Sequence, residues 1–584
     1  MVAVEVRAKR RRRRWLIAVG VVVVIGAWAA LVAAKSVSAY HHDQQGLASL
    51  NLVKSNLTPD EATISSSIDQ LHAAEAEFNS AKSDLSSPLF APVTILPVLG
   101  RQFRAVQALS AAAGTVSGVG STFLTQVHEQ LNQPHTAGPE RIASLRKLAT
   151  VSASAESQLV GVNTGPSDAL ISPLVSKRNE FVTQLNNARS RLAKAAAVSA
   201  VTATILQGPE NYVVLAANNA EMRAGSGTYL DVGSATTANG TVHLGQLGPS
   251  GAMPLPVGAV PVTGDLERNW GWLYPSLDMR NLGLTPQFDV TGPLAAQMWN
   301  RLTGQHVDGV IALDVAGVQQ LLAATGPVQA GGLTVSAANA EQYLLHDQYV
   351  GLSDNPADAD GREDALGTLA RAVLQQLQSQ SADLTSLAKA VSGAVSGRHL
   401  MLWSKNPVDE AAWQASGAAG TLASHSVDVS LINLDSNKLD QYVPIHVSVT
   451  TRPSGANTAV TLTTQLSNTT PDGQSQFIAG PYPGTSLPYG AYAGVVAANL
   501  PGDATHRSVT GTGPLVARGA EGPTWVLAAR LVMLQGTSST VVFHFIMPGR
   551  HGSMDLVPSA RIPTEQWTAN GKTFDDAQPT TISW

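Results

Sequence analysis

Residues 211–232 read NYVVLAANNAEMRAGSGTYLDV. Tyr212 to Ala216 form a short apolar run with strand character, and Tyr229 to Val232 resume a β-leaning pattern. Between them the polarity changes abruptly to Asn218, Asn219, Glu221 and Arg223, followed by Gly225 and Gly227. Two amides, a carboxylate and a guanidinium before a glycine turn concentrate polar chemistry at a strand end. Ligand sites in α/β sheets tend to sit there. The plainer alternative is an internal Arg223–Glu221 pair, with the asparagines holding the turn.

The chain has 584 residues, enough for several domains, and no cysteine. That removes disulfides, zinc thiolates and thiol nucleophiles from consideration. The formal charge of −5 hides an asymmetry, because seven of the 37 basic residues lie at Arg7, Lys9 and Arg10 to Arg14, opposed only by Glu5. The remainder carries 30 basic and 41 acidic residues, a formal −11. No nucleic-acid partner is expected for such a body.

Residues 1–14 are a basic tail, and 15–34, WLIAVGVVVVIGAWAALVAA, are twenty apolar or small residues without a charge. That length suits a single membrane-spanning helix in the lipid bilayer, with the tail cytoplasmic and the body extracytoplasmic. A cleaved signal peptide with a small-residue site at Val37-Ser38-Ala39 is the competitor.

Residues 35–205 read as an extracytoplasmic helical bundle or stalk, rich in Ala, Ser, Gln and Leu. Ile64, Leu71, Phe78 and Leu85 recur every seven residues, a narrow seam for a partner helix. Phe181, Leu185 and Leu192 continue that spacing. From 206 to 437 strand-like runs at 212–216, 228–232 and 309–313 alternate with helix-like runs, which predicts an α/β core. Trp270, Trp272 and Tyr274 there suit either a sugar or lipid platform or core packing. Residues 438–550 read as short strands of a β-sandwich, with Val541, Phe543 and Phe545 on one face of the last. Residues 551–584 read as an extended tail. The fold class is therefore a multidomain α+β chain.

NNAEMRAGSG (218–227), VDGVIALD (307–314), LLAATGPV (321–328), LTVSAANAEQYLLHDQY (333–349) and NLDSNKLDQY (433–442) resemble the bacterial domain-of-unknown-function family numbered four thousand and twelve, over roughly residues 85 to 550. More distantly, Arg223, VDGVIALD, TGPV and DADGREDALGTLARAVLQQL (358–377) look like the LytR–CpsA–Psr envelope family. That resemblance implies transfer of glycopolymers from a polyprenyl-pyrophosphate carrier, with arginines on the pyrophosphate and acidic residues with Mg2+. By motif position Arg223 matches the early arginine, and Asp360 and Arg362 match the later acidic-plus-arginine segment. The sequence departs from the pattern after LHDQY, where Tyr349-Val350-Gly351-Leu352 replaces closely spaced arginines, and at GPSGAMPLPV (248–257).

A calcium loop at Asp358, Asp360 and Gly361 is excluded because Gly367 stands at the twelfth position. Ser226 stands between Gly225 and Gly227 but not in a GxSxG, since Ala224 and Thr228 occupy the flanking positions. Catalytic residues and metal ligands are not assigned. The candidate ligand-binding set is Asn218, Asn219, Glu221, Arg223, Asp360, Arg362 and Arg371, with Glu221 and Arg223 expected in the principal pocket near Asp360 and Arg362. The expected function is an anchored envelope protein binding a cell-wall polymer, a lipid-linked polyprenyl-phosphate precursor or a protein partner. A LytR–CpsA–Psr-like transferase and an extracytoplasmic sensor acting through a partner are the alternatives.

Overall fold

The computed structural model describes residues 2–56, 61–132, 138–350, 352, 365–379, 384–481, 486–511 and 513–584; within helices, the side chains of 2–23, 25, 54–56, 61, 62, 379, 384 and 385 lie outside the description. The chain divides into two compact units, residues 1–133 with 146–199, and residues 134–145 with 200–584.

The first unit is helical: Val2–Asn56, Glu61–Leu85, Leu99–Leu131, and most of Pro139–Leu159 and Ser172–Gln207. Leu71, Phe78 and Leu85 of the heptad seam are buried. Phe78 packs with Ala74, Ala113 and Phe181. A Cβ on Gly46 would meet the Phe78 ring at 2.8 Å, so the helix carrying Gly46 comes close only because that position is bare.

The membrane-spanning expectation for 15–34 is corrected. Among the described residues no helix is long and apolar enough to cross a membrane. The apolar run is part of one continuous helix, Val2–Asn56, and the side chains of the basic tail 1–14 and of residues 15–23 fall outside the description. The described half engages protein polar groups. Trp28 Nε1 donates to the Leu89 carbonyl at 2.8 Å, and Lys35 pairs with Asp84. Val32 and Ala39 pack with Leu85, Phe90 and Phe103. Within the run only Trp28 and Val32 are half-buried, and the other described side chains of 24–34 are exposed.

The second unit opens with a sheet of β1 (Glu210–Met222), β2 (Gly227–Ala238), β3 (Thr241–Leu244), β4 (Gly248–Pro249) and β5 (Gly309–Asp314). The short hairpin of β6 (Val328–Ala330) and β7 (Leu333–Val335) stands apart, and β8 (Leu400–Ser404) completes the sheet. The order is β3-β2-β1-β5-β8, with β4 on β2. β1 runs antiparallel to β2 and parallel to β5, so it is central, and both its faces are buried. Val213, Leu215 and Ala217 face one core with the helix Phe288–Thr303. Tyr212, Val214 and Ala216 face another with Val315–Thr325 and Ala365–Ser379. The period-two alternation expected of a strand is therefore present, with both phases apolar.

The β-sandwich consists of two six-stranded sheets. Its strands are β9 (Ser426–Asn433), β10 (Ile445–Ser454), β11 (Asn457–Ser467), β12 (Tyr492–Pro501), β13 (Thr505–Thr510), β14 (Leu515–Glu521), β15 (Thr524–Met533), β16 (Ser538–Met547), β17 (Ser553–Leu556), β18 (Gln566–Ala569), β19 (Lys572–Asp575) and β20 (Thr580–Ser583). One sheet runs β13-β16-β11-β10-β18-β19, the other β14-β15-β12-β9-β17-β20. Val541, Phe543 and Phe545 lie in the core between them. Residues 551–584 are not a free extended tail: β17 to β20 complete both sheets, and Trp567 is fully buried. The sandwich also begins before 438, since β9 pairs with β12 and β17. Val495, Ala497, Val526 and Ala528 on its outer side pack into the same core as Val213 and Leu215.

Candidate functional site

Past Ala216 the central strand stops pairing regularly with β2. The β1–β2 register shifts between Asn218 and Met222, which frees the intervening side chains from the ladder. Gly227 makes this possible, because a Cβ there would lie 2.3 Å from the Asn218 carbonyl carbon. Arg223 N then donates to Ser226 O at 2.8 Å, closing the turn.

Asn218, Glu221 and Arg223 line a cavity of about 590 Å³. Glu221 is buried, 2.5 Å from Lys438 Nζ and 3.4 Å from Arg223 Nη2. Burial alone pushes its carboxyl up, but the charges of Lys438 and Arg223 outweigh this and hold it below its ordinary value. Arg223 is held on every side. Nε donates to Arg280 O at 3.0 Å, and Nη1 donates to Met222 O at 3.1 Å and Asn433 O at 2.9 Å. Arg280 reaches the cavity with a half-exposed guanidinium, bound to both oxygens of Asp278 at 2.7 to 3.1 Å. The hydrogen bond to Asp278 keeps it firmly protonated, against the opposing effect of burial.

An aromatic wall adjoins this ionic one. The Tyr349 and Phe477 rings stack with centroids 5.4 Å apart at 22°, and Lys438 Nζ lies 5.6 Å from each centroid. Asn218 Nδ2 donates to the Tyr349 hydroxyl at 2.8 Å and to Leu344 O at 3.0 Å. Asp231, Asn281, Gln348 and Ser436 complete the polar lining.

The other candidates fall elsewhere. Asn219 is fully buried away from the cavity lining, donating to Asp314 Oδ2 at 2.9 Å and to Ala560 O at 2.8 Å. Asp314 also takes Ser226 Oγ at 3.1 Å and His399 Nδ1 at 2.9 Å on that same oxygen, while its Oδ1 caps the helix Val315–Thr325 through Gly317 N. Ser226 and His399 both meet the carboxylate rather than each other, which is a capping network and not a nucleophile–base pair. Arg371 Nη2 donates to Thr368 Oγ1 at 3.0 Å and is not among the cavity-lining residues. Asp360 and Arg362 lie outside the described residues.

Lys438, Arg280, Tyr349 and Phe477 did not stand out as site residues in the sequence. Lys438 and Tyr349 fall inside NLDSNKLDQY and LHDQY, motifs that carried the resemblance, so a signal existed for those two. Arg280 and Phe477 sit in loop and one-turn segments whose convergence only the fold creates. Among the described residues no three carboxylates or imidazoles are grouped to hold a metal ion, and Asp360, on which the Mg2+ expectation rested, is outside them.

A family model described as "Protein of unknown function (DUF4012)" matches residues 207–349, so the resemblance to that family holds over β1 through Tyr349, a shorter span than 85–550. The more distant LytR–CpsA–Psr resemblance is not shown by this match. No curated protein and no solved structure matches the chain.

Proposed function

We propose that this chain is a non-catalytic binding protein of the cell envelope, whose cavity takes the sugar units of an uncharged envelope polymer. One observation carries the reading: each described cation at the cavity already has its own acceptors. Lys438 has Glu221, Arg280 has Asp278, and Arg223 has Glu221 and three carbonyls. A pyrophosphate calls for cations whose charge is not already met. A saccharide calls for something else. Its hydroxyls both donate and accept, so they suit fixed groups of alternating polarity. Its C–H face suits an aromatic ring. Asp231, Gln348 and Ser436 beside the Tyr349–Phe477 wall supply both.

The transferase alternative draws less support. Arg223 and Arg280 reach the cavity but each already has its own acceptors, and Arg371 is not among the lining residues. Placement of the body outside the cytoplasm belongs to the same proposal. Its support is the basic run ahead of an apolar one, an arrangement that export signals use.

The test is titration of the full chain with neutral oligosaccharides and, separately, with a polyprenyl pyrophosphate. Saturable saccharide binding is expected. Phe477→Leu, which keeps an apolar side chain but removes the ring, should weaken it by about tenfold. Tight pyrophosphate binding that is lost in Arg280→Gln, with no saccharide binding, overturns the proposal in favour of transfer.

A further inference from the structure

A second concavity of about 570 Å³ opens along residues 257–277. Three aromatics two residues apart enter this segment, and the fold sorts them. Trp270 is fully buried, donating from Nε1 to Glu521 Oε1 at 2.6 Å. Trp272 and Tyr274 are 37% and 56% exposed and line the groove together. Among the described residues of the second unit, no other tryptophan, tyrosine or phenylalanine is exposed. Two rings kept out of the core and placed side by side are a surface that needs a reason.

The backbone holds them there. Tyr274 has φ 52° and ψ 62°, a left-handed conformation that a side chain with a Cβ adopts only under constraint. The constraint comes from Asn281, whose Nδ2 donates to Leu273 O at 3.0 Å and Tyr274 O at 3.2 Å. The Arg530 guanidinium lies 5.3 Å from the Trp272 ring and fixes the indole while leaving it exposed. Glu267 is the one charged residue among those that line the groove.

We propose that this groove is a second saccharide subsite, taking the next units of the chain whose first units occupy the cavity. The inference rests on the saccharide reading of the cavity. Three features choose the occupant. The one charged lining residue is the Glu267 carboxylate, and the nearby Arg530 guanidinium is engaged over the Trp272 ring. Two rings with one carboxylate offer stacking faces and a hydroxyl acceptor, the same pairing as in the cavity. The groove is also continuous with the cavity in the chain. The segment 249–281 contributes Pro249, Gly251, Arg280 and Asn281 to the cavity and residues 257–277 to the groove, and Asn281 touches both. A ligand spanning the two gains by linkage, because the second contact forms at high effective concentration.

The experiment measures affinity of the full chain for one neutral saccharide in graded lengths. Wild type is compared with Trp272→Ala, Tyr274→Asn and Phe477→Leu. Asn tolerates the left-handed backbone at position 274, and unchanged melting temperatures establish that the fold is kept. Affinity should rise with length by at least about tenfold, and Trp272→Ala and Tyr274→Asn should abolish the rise while leaving the shortest binder unchanged. Phe477→Leu should weaken every length. No rise with length, or a rise that the two groove variants leave intact, overturns the groove and leaves the cavity standing. Loss in Trp272→Ala with none in Phe477→Leu keeps the groove and removes the cavity. No binding at any length removes both. A groove that instead binds a proline-rich peptide overturns the assigned ligand class.

Discussion

The Lys438 ammonium stands 2.5 Å from the Glu221 carboxylate, with both side chains 4% exposed. Glu221 ends the central strand of the α/β sheet, and Lys438 follows β9 of the sandwich. Next to them Met222 N donates to Asp440 Oδ2 at 3.0 Å. The cavity wall is thus also a seam between the two parts of the second unit. Removing one member of a buried pair leaves the other uncompensated. Glu221→Gln and Lys438→Met should each cost about 3–5 kcal/mol in denaturant unfolding, and the double variant should recover much of that loss. Additive losses in the double-mutant cycle would contradict a directly coupled pair.

Arg223 illustrates a structural role inside a candidate site. Its guanidinium satisfies three backbone carbonyls, those of Arg280 and Asn433 from distant segments and that of the adjacent Met222. Arg223→Ala should lower stability by about 3 kcal/mol or more, because buried acceptors and Glu221 lose their donor. Arg223→Lys should not restore it, since an ammonium lacks the planar fork. Thermal melts decide the matter, and an unchanged melting temperature in Arg223→Ala would move this residue from scaffold to ligand contact.

Asp428 sets a pH dependence. It is buried on β9, and neither carboxylate oxygen meets a hydrogen-bond partner among the described residues. Burial pushes its carboxyl up to about 8; Arg398 opposes this, while Asp576 and Glu521 add to it. The folded chain therefore keeps a proton that the unfolded chain releases near the ordinary carboxyl value of 3.8. Stability contributed by this group falls as pH rises from about 4 to about 8 and changes little above that. Asp428→Asn removes the titration, so its advantage over wild type should grow by a few kcal/mol, roughly, across that window. Unfolding free energies at pH 5 and pH 8 test it; a constant difference would contradict it.

The helical, α/β and β-rich parts of the chain were legible because their periodicities differ: seven residues at Ile64 to Leu85, and two at Val541 to Phe545. β9 was not placed with the sandwich because both its faces are buried, so no polar alternation marks it as an outer strand. The four strands after 551 have four residues each, too short for a pattern to declare itself. The apolar run 15–34 read as a membrane span because the expectation rested on length and composition alone, which do not show that Trp28 bonds the Leu89 carbonyl. At the site, the strand-end logic found Asn218, Glu221 and Arg223 at the cavity. It could not find Lys438, which lies 217 residues further along the chain and meets Glu221 only in the fold.

The central claim is that the cavity binds an uncharged saccharide and not a phosphorylated carrier. Titration calorimetry of the full chain with a neutral oligosaccharide at low and high sodium chloride tests it most directly. Salt screens charge–charge attraction but leaves stacking and neutral hydrogen bonds nearly untouched. Affinity should change by less than about twofold between roughly 0.05 and 0.5 M salt. Absence of saccharide binding, together with polyprenyl-pyrophosphate binding that falls tenfold or more over that range, on the order expected for an ion-pair clamp, would contradict the account.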